Sequence, residues 1–254
     1  MGISNINDGD KIFIAKTEDT FKFVENKNIT KFTSFLDGHQ QEICKIIASK
    51  YRAVEYFFDG GYNSAERKIL CAMADYDSKE FVELPFKSVS FLYRKQDNIT
   101  HRDILGALMA LGIKRECIGD ILVAEGRAVV FALDKVAEII CSDVVKIGRV
   151  GVTAKMGCES LEEFEQKFTD INGTVSSMRL DCILSLMLKV GREKAVQLIK
   201  SNLVMVNHME CCEKNKVIEE GDIISIRGFG KFKVSFIGDR TKKDRIHIEC
   251  KKFM

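Results

Sequence analysis

Arg179 and Arg192 each stand where a short amphipathic helix begins, and that placement suits one kind of chemistry above others, the holding of phosphate. A guanidinium offers two parallel N–H donors to an oxyanion, and the unpaired amides and dipole of a helix start favour the same negative charge. A later turn adds Arg240, Lys242, Lys243 and Arg245 as further candidate phosphate contacts. Covalent chemistry has no comparable constellation. His39, His101, His208 and His247 show no metal-binding or general-base spacing, and no nucleophile elbow, Walker loop or dinucleotide fingerprint occurs. His101, beside Arg102 and Asp103, reads as a capping or surface residue. The expectation is binding without catalysis, cofactor or metal.

The elements that carry the arginines follow from periodicity. Leu180, Ile183, Leu184, Met187 and Leu188 form one helical stripe; Gly191 interrupts it; Ala195, Val196, Leu198 and Ile199 form a second. Residues 203–207 then alternate as a strand, with Val204 and Val206 on one side. Arg-Leu-Asp at 179–181, Gly-Arg-x-x-Ala-x-x-Leu-Ile at 191–199 and Val-x-Val-Asn at 204–207 resemble, in order and spacing, the S-four RNA-binding domain first recognised in the fourth small-subunit ribosomal protein. The chain departs from that pattern at Gly191, where Ser is usual. Gly is an acceptable N-cap, at a cost of only a few tenths of a kcal/mol relative to Ser.

Charge points to the same end of the chain. The net charge of +2 divides into 16 Lys and Arg against 10 Asp and Glu from Ser176 onward, and 23 against 27 before it. A basic end on a slightly acidic body suits directional docking on a polyanion. At 254 residues and 46% apolar content the chain can form two or three cores. It lacks an apolar run long enough to span a membrane and a secretory leader, and Gly2 has no basic second signal for a stable lipid anchor. Nine cysteines without a Cys-x-x-Cys pair argue against zinc and for reduced thiols in the cytoplasm, the vicinal Cys211 and Cys212 included.

Taken in order, residues 1–50 read as a polar lead and two helices, one through Phe32, Phe35 and Leu36, one through Ile43, Ile46 and Ile47, with Asp37-Gly38 as the turn between them. Val54 to Phe58 reads as a strand ending at Asp59-Gly60-Gly61. Ile69 to Ala74 suits its partner strand, although Ala65 to Lys68 also suits a helix. From Phe81 the order is firmer: a strand through Val89, Phe91 and Tyr93; a helix opened by Thr100 and Asp103 and closed by Gly112; a hairpin around Glu125-Gly126; a helix over 133–141; and a strand over 144–152. This is the βαββαβ order of ferredoxin-like and RNA-recognition-motif-like domains. The aromatic signature of an RNA-reading sheet is missing, so Phe91 and Tyr93 read as core, and the domain could bind RNA or protein. Glu159 to Ile171 reads as a short acidic helix or linker and Asn172-Gly173 as a turn. Strands at 223–227, 232–237 and 245–250 complete the chain.

The expected fold is α+β: an N-terminal α/β region (1–78), a central RRM-like domain (79–157), a linker (158–175) and a C-terminal S-four domain of two helices and a small sheet (176–254). Enzymes that carry S-four domains, such as pseudouridine synthases, tyrosyl-tRNA synthetases and RNA methyltransferases, have signatures this chain lacks. Across nearly its whole length it is similar instead to the YlmH family of bacterial S-four proteins. The similarity rests on Gly60-Gly61-Tyr62 with Ala65-Glu66-Arg67-Lys68, on His101-Arg102-Asp103-Ile104-Leu105-Gly106, and on Leu111-Gly112-Ile113-Lys114-Arg115 with Ile118-Gly119-Asp120-Ile121. The resemblance implies a protein whose partners are the rRNA and tRNA of the large ribosomal subunit in ribosome-associated quality control; a cytoplasmic monomer with no membrane or DNA partner is expected. In that setting Arg179 and Arg192 would clamp phosphates, Lys194, Lys200 and the 240–245 turn would extend the contact, and Asn207 would fix a loop or touch a sugar. As exposed residues the two arginines are expected to matter little for stability, within about ±0.5 kcal/mol.

Overall fold

A helix occupies the stretch that reads as a polar lead. Helix α1 (Asp8–Lys27) buries a narrow stripe of Asp10, Thr17, Phe21 and Val24 among its described side chains, too thin and too polar to stand out by periodicity. The chain is seen here in a computed structural model that describes residues 8–164 and 168–253. Gly2, the lipid-anchor position considered above, lies outside them.

Phe32, Phe35 and Leu36 are extended, not helical. Strand β1 (Lys31–Phe32) pairs antiparallel with β3 (Ile69–Ala72), which also pairs with β2 (Tyr56–Asp59). The amides of Thr33 and Leu36 extend the ladder to Leu70 and Lys68. Leu36 enters a core with Phe21, Ile43 and Ile47, while its neighbour Phe35 enters a different cluster with Phe131. Adjacent residues can bury on opposite sides only in an extended chain, and those two cores outweigh the helical spacing. Asp37 is accordingly not a turn between helices. It is the N-cap of α2 (Gly38–Ala48), in a capping box with Gln40.

Strand β4 (Phe86–Leu92), α3 (His101–Ala110), β5 (Ile118–Ala124), β6 (Arg127–Leu133) and α4 (Asp134–Asp143) follow. Thr100 and Asp103 cap α3 reciprocally, and Gly112, at a φ of 77° that suits glycine, lies just past its end. In place of one strand over 144–152 there is a small hairpin, β7 (Lys146–Ile147) with β8 (Val150–Gly151), turning at Gly148 with φ of 59°; the sheet is completed later, by β9 (Thr153–Met156). The sheet order is β5-β6-β4-β9 with every neighbouring pair antiparallel.

The chain divides into two units at 165/166. In the second, β10 (Phe168–Val175) runs through the stretch that reads as linker and turn, paired residue for residue with β15 (Ile246–Phe253). Gly173 sits mid-strand because a Cβ there would fall 2.4 Å from Leu186 Cδ1; the glycine that reads as a turn admits a helix side chain instead. Helices α5 (Leu180–Leu188) and α6 (Arg192–Lys200) are followed by β11 (Val204–Val206), β12 (Met209–Glu210), β13 (Ile223–Ile226) and β14 (Gly230–Arg240). The sheet order is β10-β15-β14-β13-β11-β12. Leu180, Ile183, Leu184 and Met187 from α5 and Ala195 and Ile199 from α6 pack with Val204, Ile224, Phe232 and Ile248 from the strands in one core. Among the described residues no helix is long and apolar enough to cross a membrane.

Candidate nucleic-acid interface

Every inward position of α5 is apolar except one, and that exception organises the arginines. Asp181, only 2% exposed, receives Arg179 Nε on Oδ1 at 3.1 Å and Arg179 Nη2 on Oδ2 at 3.0 Å. Arg192 Nε donates to the same Oδ2 at 2.9 Å, across from the next helix. The amide of Cys182 donates to Oδ1 at 3.0 Å. One buried carboxylate thus ties together two guanidiniums from two helix starts and leaves the trio one positive charge. Burial alone would raise the Asp181 carboxyl; the hydrogen bonds from Arg179 and Arg192 outweigh it and hold it below the ordinary carboxylate value. In turn the bond to Asp181 raises the Arg192 guanidinium.

The two helix starts are not equivalent. At α5 the amides of Leu180 and Asp181 donate to the carbonyls of Lys216 and Lys214 at 2.9 and 3.3 Å, and the Asp181 carboxylate fills the position an external anion would take. The α5 dipole is therefore engaged internally, contrary to the expectation of a free phosphate seat at both ends. Helix α6 begins at Gly191 with no side-chain cap, and a Cβ on Gly191 would meet nothing within 4 Å. Its φ of −63° and ψ of 150° suit any N-cap residue, so glycine is not sterically required. Gly191→Ser is expected to raise stability by a few tenths of a kcal/mol through a hydroxyl cap; an unchanged or lower unfolding midpoint in urea would count against that local geometry.

Arg192 spends only its Nε–H on Asp181, and among the described residues its Nη groups make no hydrogen bond. It lines a shallow cavity of about 300 Å³ with Thr174, Ser176, Ser185 and Arg245. Arg245 is fixed beside it by Nε to Thr174 Oγ1 at 2.9 Å and Nη2 to Thr174 O at 2.6 Å. The structure thus joins Arg179, Arg192 and Arg245 around one end of the unit. Lys194 and Lys200 are exposed on α6, but at 100° per residue Lys194 projects from the side opposite Arg192 and Lys200 lies about 12 Å further along the axis. Lys242 and Lys243 occupy the exposed turn between β14 and β15, where Arg240 is paired with Asp244 at 2.7 Å. Asn207 fixes a loop. With φ of 49° it turns β11 into β12, and its amide bridges Asp222 Oδ1 at 2.7 Å and the Ile223 amide at 2.9 Å.

Two expectations change here. Arg179 and Arg192 are not independent surface residues, since removing them strands a buried carboxylate and lowers stability. Asp181 is the residue whose role the motif Arg-Leu-Asp did not convey; its signal was an acid at the second position of a helix otherwise apolar on its buried side.

The four-stranded sheet of the first unit is covered on one face and, across β5 and β6, on part of the other, while Leu92, Thr153 and Lys155 on β4 and β9 stay exposed. Val89, Phe91, Ala128 and Val130 pack under α3 and α4, and Tyr93 Oη donates to Ala124 O at 2.8 Å. On the opposite side, where an RNA-reading sheet would display aromatics, Val129 and Phe131 are buried by Phe35, Ile69 and Tyr62 together with Leu161 and Phe164. Tyr62 stacks on Phe131 with centroids 5.4 Å apart. Its hydroxyl donates to Asp120 Oδ2 at 2.8 Å, and the amides of Glu66 and Arg67 donate to the same carboxylate. Arg67 and Arg115 both donate to the Ile118 carbonyl, at 3.0 and 2.6 Å. Burial lowers both guanidiniums, that of Arg115 to about 10 with Arg67 adding to the effect. It also lowers the His101 imidazole, with Arg115 acting the same way and Asp120 opposing. Gly60–Lys68 and Leu111–Ile121 thus meet at one seam around Asp120, with the His101 imidazole within its electrostatic reach.

A family model described as "Putative RNA-binding domain in YlmH" matches residues 80–158. Over 245 residues the chain is 31% identical to the ribosome-associated protein quality control protein P2 of Bacillus subtilis (strain 168), covering 94% of this chain and 93% of that protein. Among solved structures, the cell division protein ylmH from Streptococcus pneumoniae is similar with 28% identity and a TM-score of 0.53, over 62% of this chain and 96% of that one.

Proposed function

The chain belongs to the YlmH family, and from that premise we propose that it is a non-catalytic RNA-binding protein that docks on the large ribosomal subunit, on rRNA and peptidyl-tRNA, in quality control of stalled translation. The observation that carries the reading is the pairing of Arg179 and Arg192 on buried Asp181, with Arg245 beside them, in the C-terminal part of the chain that carries the excess of basic residues. Asp181 holds the two guanidiniums by their Nε edges, so Arg192 presents its Nη edge outward as a pre-oriented phosphate donor. Pre-orientation reduces the side-chain entropy lost on binding.

In this reading the C-terminal unit is the S-four domain and supplies the contact to structured RNA, with Lys194, Lys200 and the 240–245 turn adding longer-range attraction. The 79–157 segment is an RRM-like domain whose β5–β6 half is packed on both faces and serves as an internal support. The protein acts as a cytoplasmic monomer. Purified large ribosomal subunits should carry it into the pellet at low salt and release it progressively as salt rises, as phosphate contacts require. Absence from the pellet at low salt would overturn the assignment, and a pellet fraction indifferent to salt would favour a protein–protein contact instead.

A further inference from the structure

The six-stranded sheet of the C-terminal unit is covered by helices on one side only. Its core takes Ile171 and Val175 from β10, Ile248 and Cys250 from β15, and Phe232 and Val234 from β14. The alternate residues face away from that core, and aromatic rings stand there among polar side chains, Glu249 opposite Phe236 included. Phe168 is 40% exposed and Phe236 46%. Phe168 lies opposite Phe253 in the β10–β15 register, their rings edge to face at 5.1 Å. Phe236 lies along the strand with space kept by Gly238, whose Cβ would come within 3.0 Å of the ring.

Lysines are interleaved with these rings. Lys251 Nζ lies 5.7 Å from the Phe168 centroid and Lys231 Nζ 4.9 Å from that of Phe253. Lys233 and Lys251 are directly opposed on β14 and β15. Like charges in cross-strand register are destabilising on their own and become favourable with an anion over them. Asp170, opposite Lys251 on β10, offsets one of these charges. The interior of a protein interface is depleted of lysine, whereas rings set among cations are the composition that binds single-stranded nucleic acid.

We propose that this uncovered face is a second RNA surface, which binds a single-stranded segment by stacking bases on Phe236, Phe168 and Phe253 while Lys231, Lys233 and Lys251 meet its phosphates. It shares no residue with the arginine cluster and does not rest on it. The two are nonetheless continuous around the edge strand: Arg245, beside Arg192, is hydrogen-bonded to Thr174, which stands opposite His247 on the uncovered side. By strand rise, Phe236 and Phe253 are separated by about 13 Å along the sheet, so they serve different nucleotides.

The chain has no tryptophan, so Phe236→Trp in the full chain gives a single reporter at the surface. Titration with an unstructured oligouridylate about a dozen nucleotides long is expected to quench its emission saturably, and Phe236→Ala and Phe168→Ala are each expected to weaken binding by about tenfold in fluorescence anisotropy. Phe236→Tyr, which keeps the ring, should bind as the parent does. Binding without quenching, no binding, or Ala variants within about twofold of the parent would overturn the proposal, and so would equal loss in Phe236→Ala and Phe236→Tyr. The same oligouridylate with Arg192→Gln separates the two surfaces. Retained affinity there, with lost co-sedimentation on large subunits, supports two surfaces. Lost oligouridylate binding in Arg192→Gln with none lost in the Phe variants would assign single strands to the arginine end and overturn the proposal.

Discussion

Replacing Arg179 and Arg192 together by glutamine is expected to reduce affinity for large ribosomal subunits by about a hundredfold or more, since each charge-assisted hydrogen bond to phosphate contributes about 1.5–3 kcal/mol. The plot of log affinity against log salt should also become shallower by roughly one unit per lost phosphate contact. The geometry sets a complication that exposed arginines would not. Asp181 is buried and, among the described residues, takes its charge partners from these two side chains alone, so the double variant leaves a carboxylate held among them by the Cys182 amide. That should cost about 1–3 kcal/mol of stability in the C-terminal unit.

A further change, Asp181→Asn on the double-glutamine background, removes the stranded charge and should recover part of the stability while leaving binding lost. If binding returned with stability, the arginines would be scaffolding and the phosphate reading would fail. Lys242→Gln with Lys243→Gln is the counterweight. Both residues are exposed on a hairpin turn, so stability should hold within about ±0.5 kcal/mol while the salt slope falls. Co-sedimentation and urea unfolding of the same preparations read both quantities.

The contrast between Asp181 and its arginines shows what kind of information a linear chain carries. Local signals are legible in it. Thr100 with Asp103 and the helical stripes of α5 and α6 act within a few residues, and each formed the element its spacing implies. Signals that depend on a distant partner are not. Asn172-Gly173 has turn chemistry, yet β15 supplies an eight-residue partner and Leu186 supplies the reason for the glycine. Phe35 and Leu36 have helical spacing, yet two separate cores pull them to opposite sides. Gly60–Lys68 has no intrinsic chemistry at all; its meaning is Asp120 and Phe131, more than fifty residues later in sequence. At the site the arginines were visible as residue types, while the buried acid that orients them is visible only once the two helices pack.

Gly61→Ala is expected to destabilise the first unit strongly, through strain and overpacking together. Gly61 adopts φ of 92°, outside the range of an ordinary side chain, and a Cβ there would sit 2.4 Å from Phe131 Cε1 and 3.1 Å from Phe86 Cε2. Neither ring can yield easily. Phe131 is 3% exposed, stacked by Tyr62 on one side and set against Phe86 at 6.5 Å on another. Backbone strain of about 1–3 kcal/mol adds to overpacking of similar size, so a loss of about 3–5 kcal/mol is expected, a large part of the stability of a domain this size. Gly112→Ala separates the two contributions, because Gly112 also has positive φ but opens onto free space; strain alone there should cost about 1 kcal/mol. The difference between the two urea midpoints, corrected for their slopes, then measures how tightly Gly60–Lys68 is pressed against the sheet. Equal midpoints would mean that the segment does not lie on Phe131, and the sheet face would again be available to single-stranded RNA. A markedly lower Gly61→Ala midpoint would instead hold the part of that face around Phe131 closed.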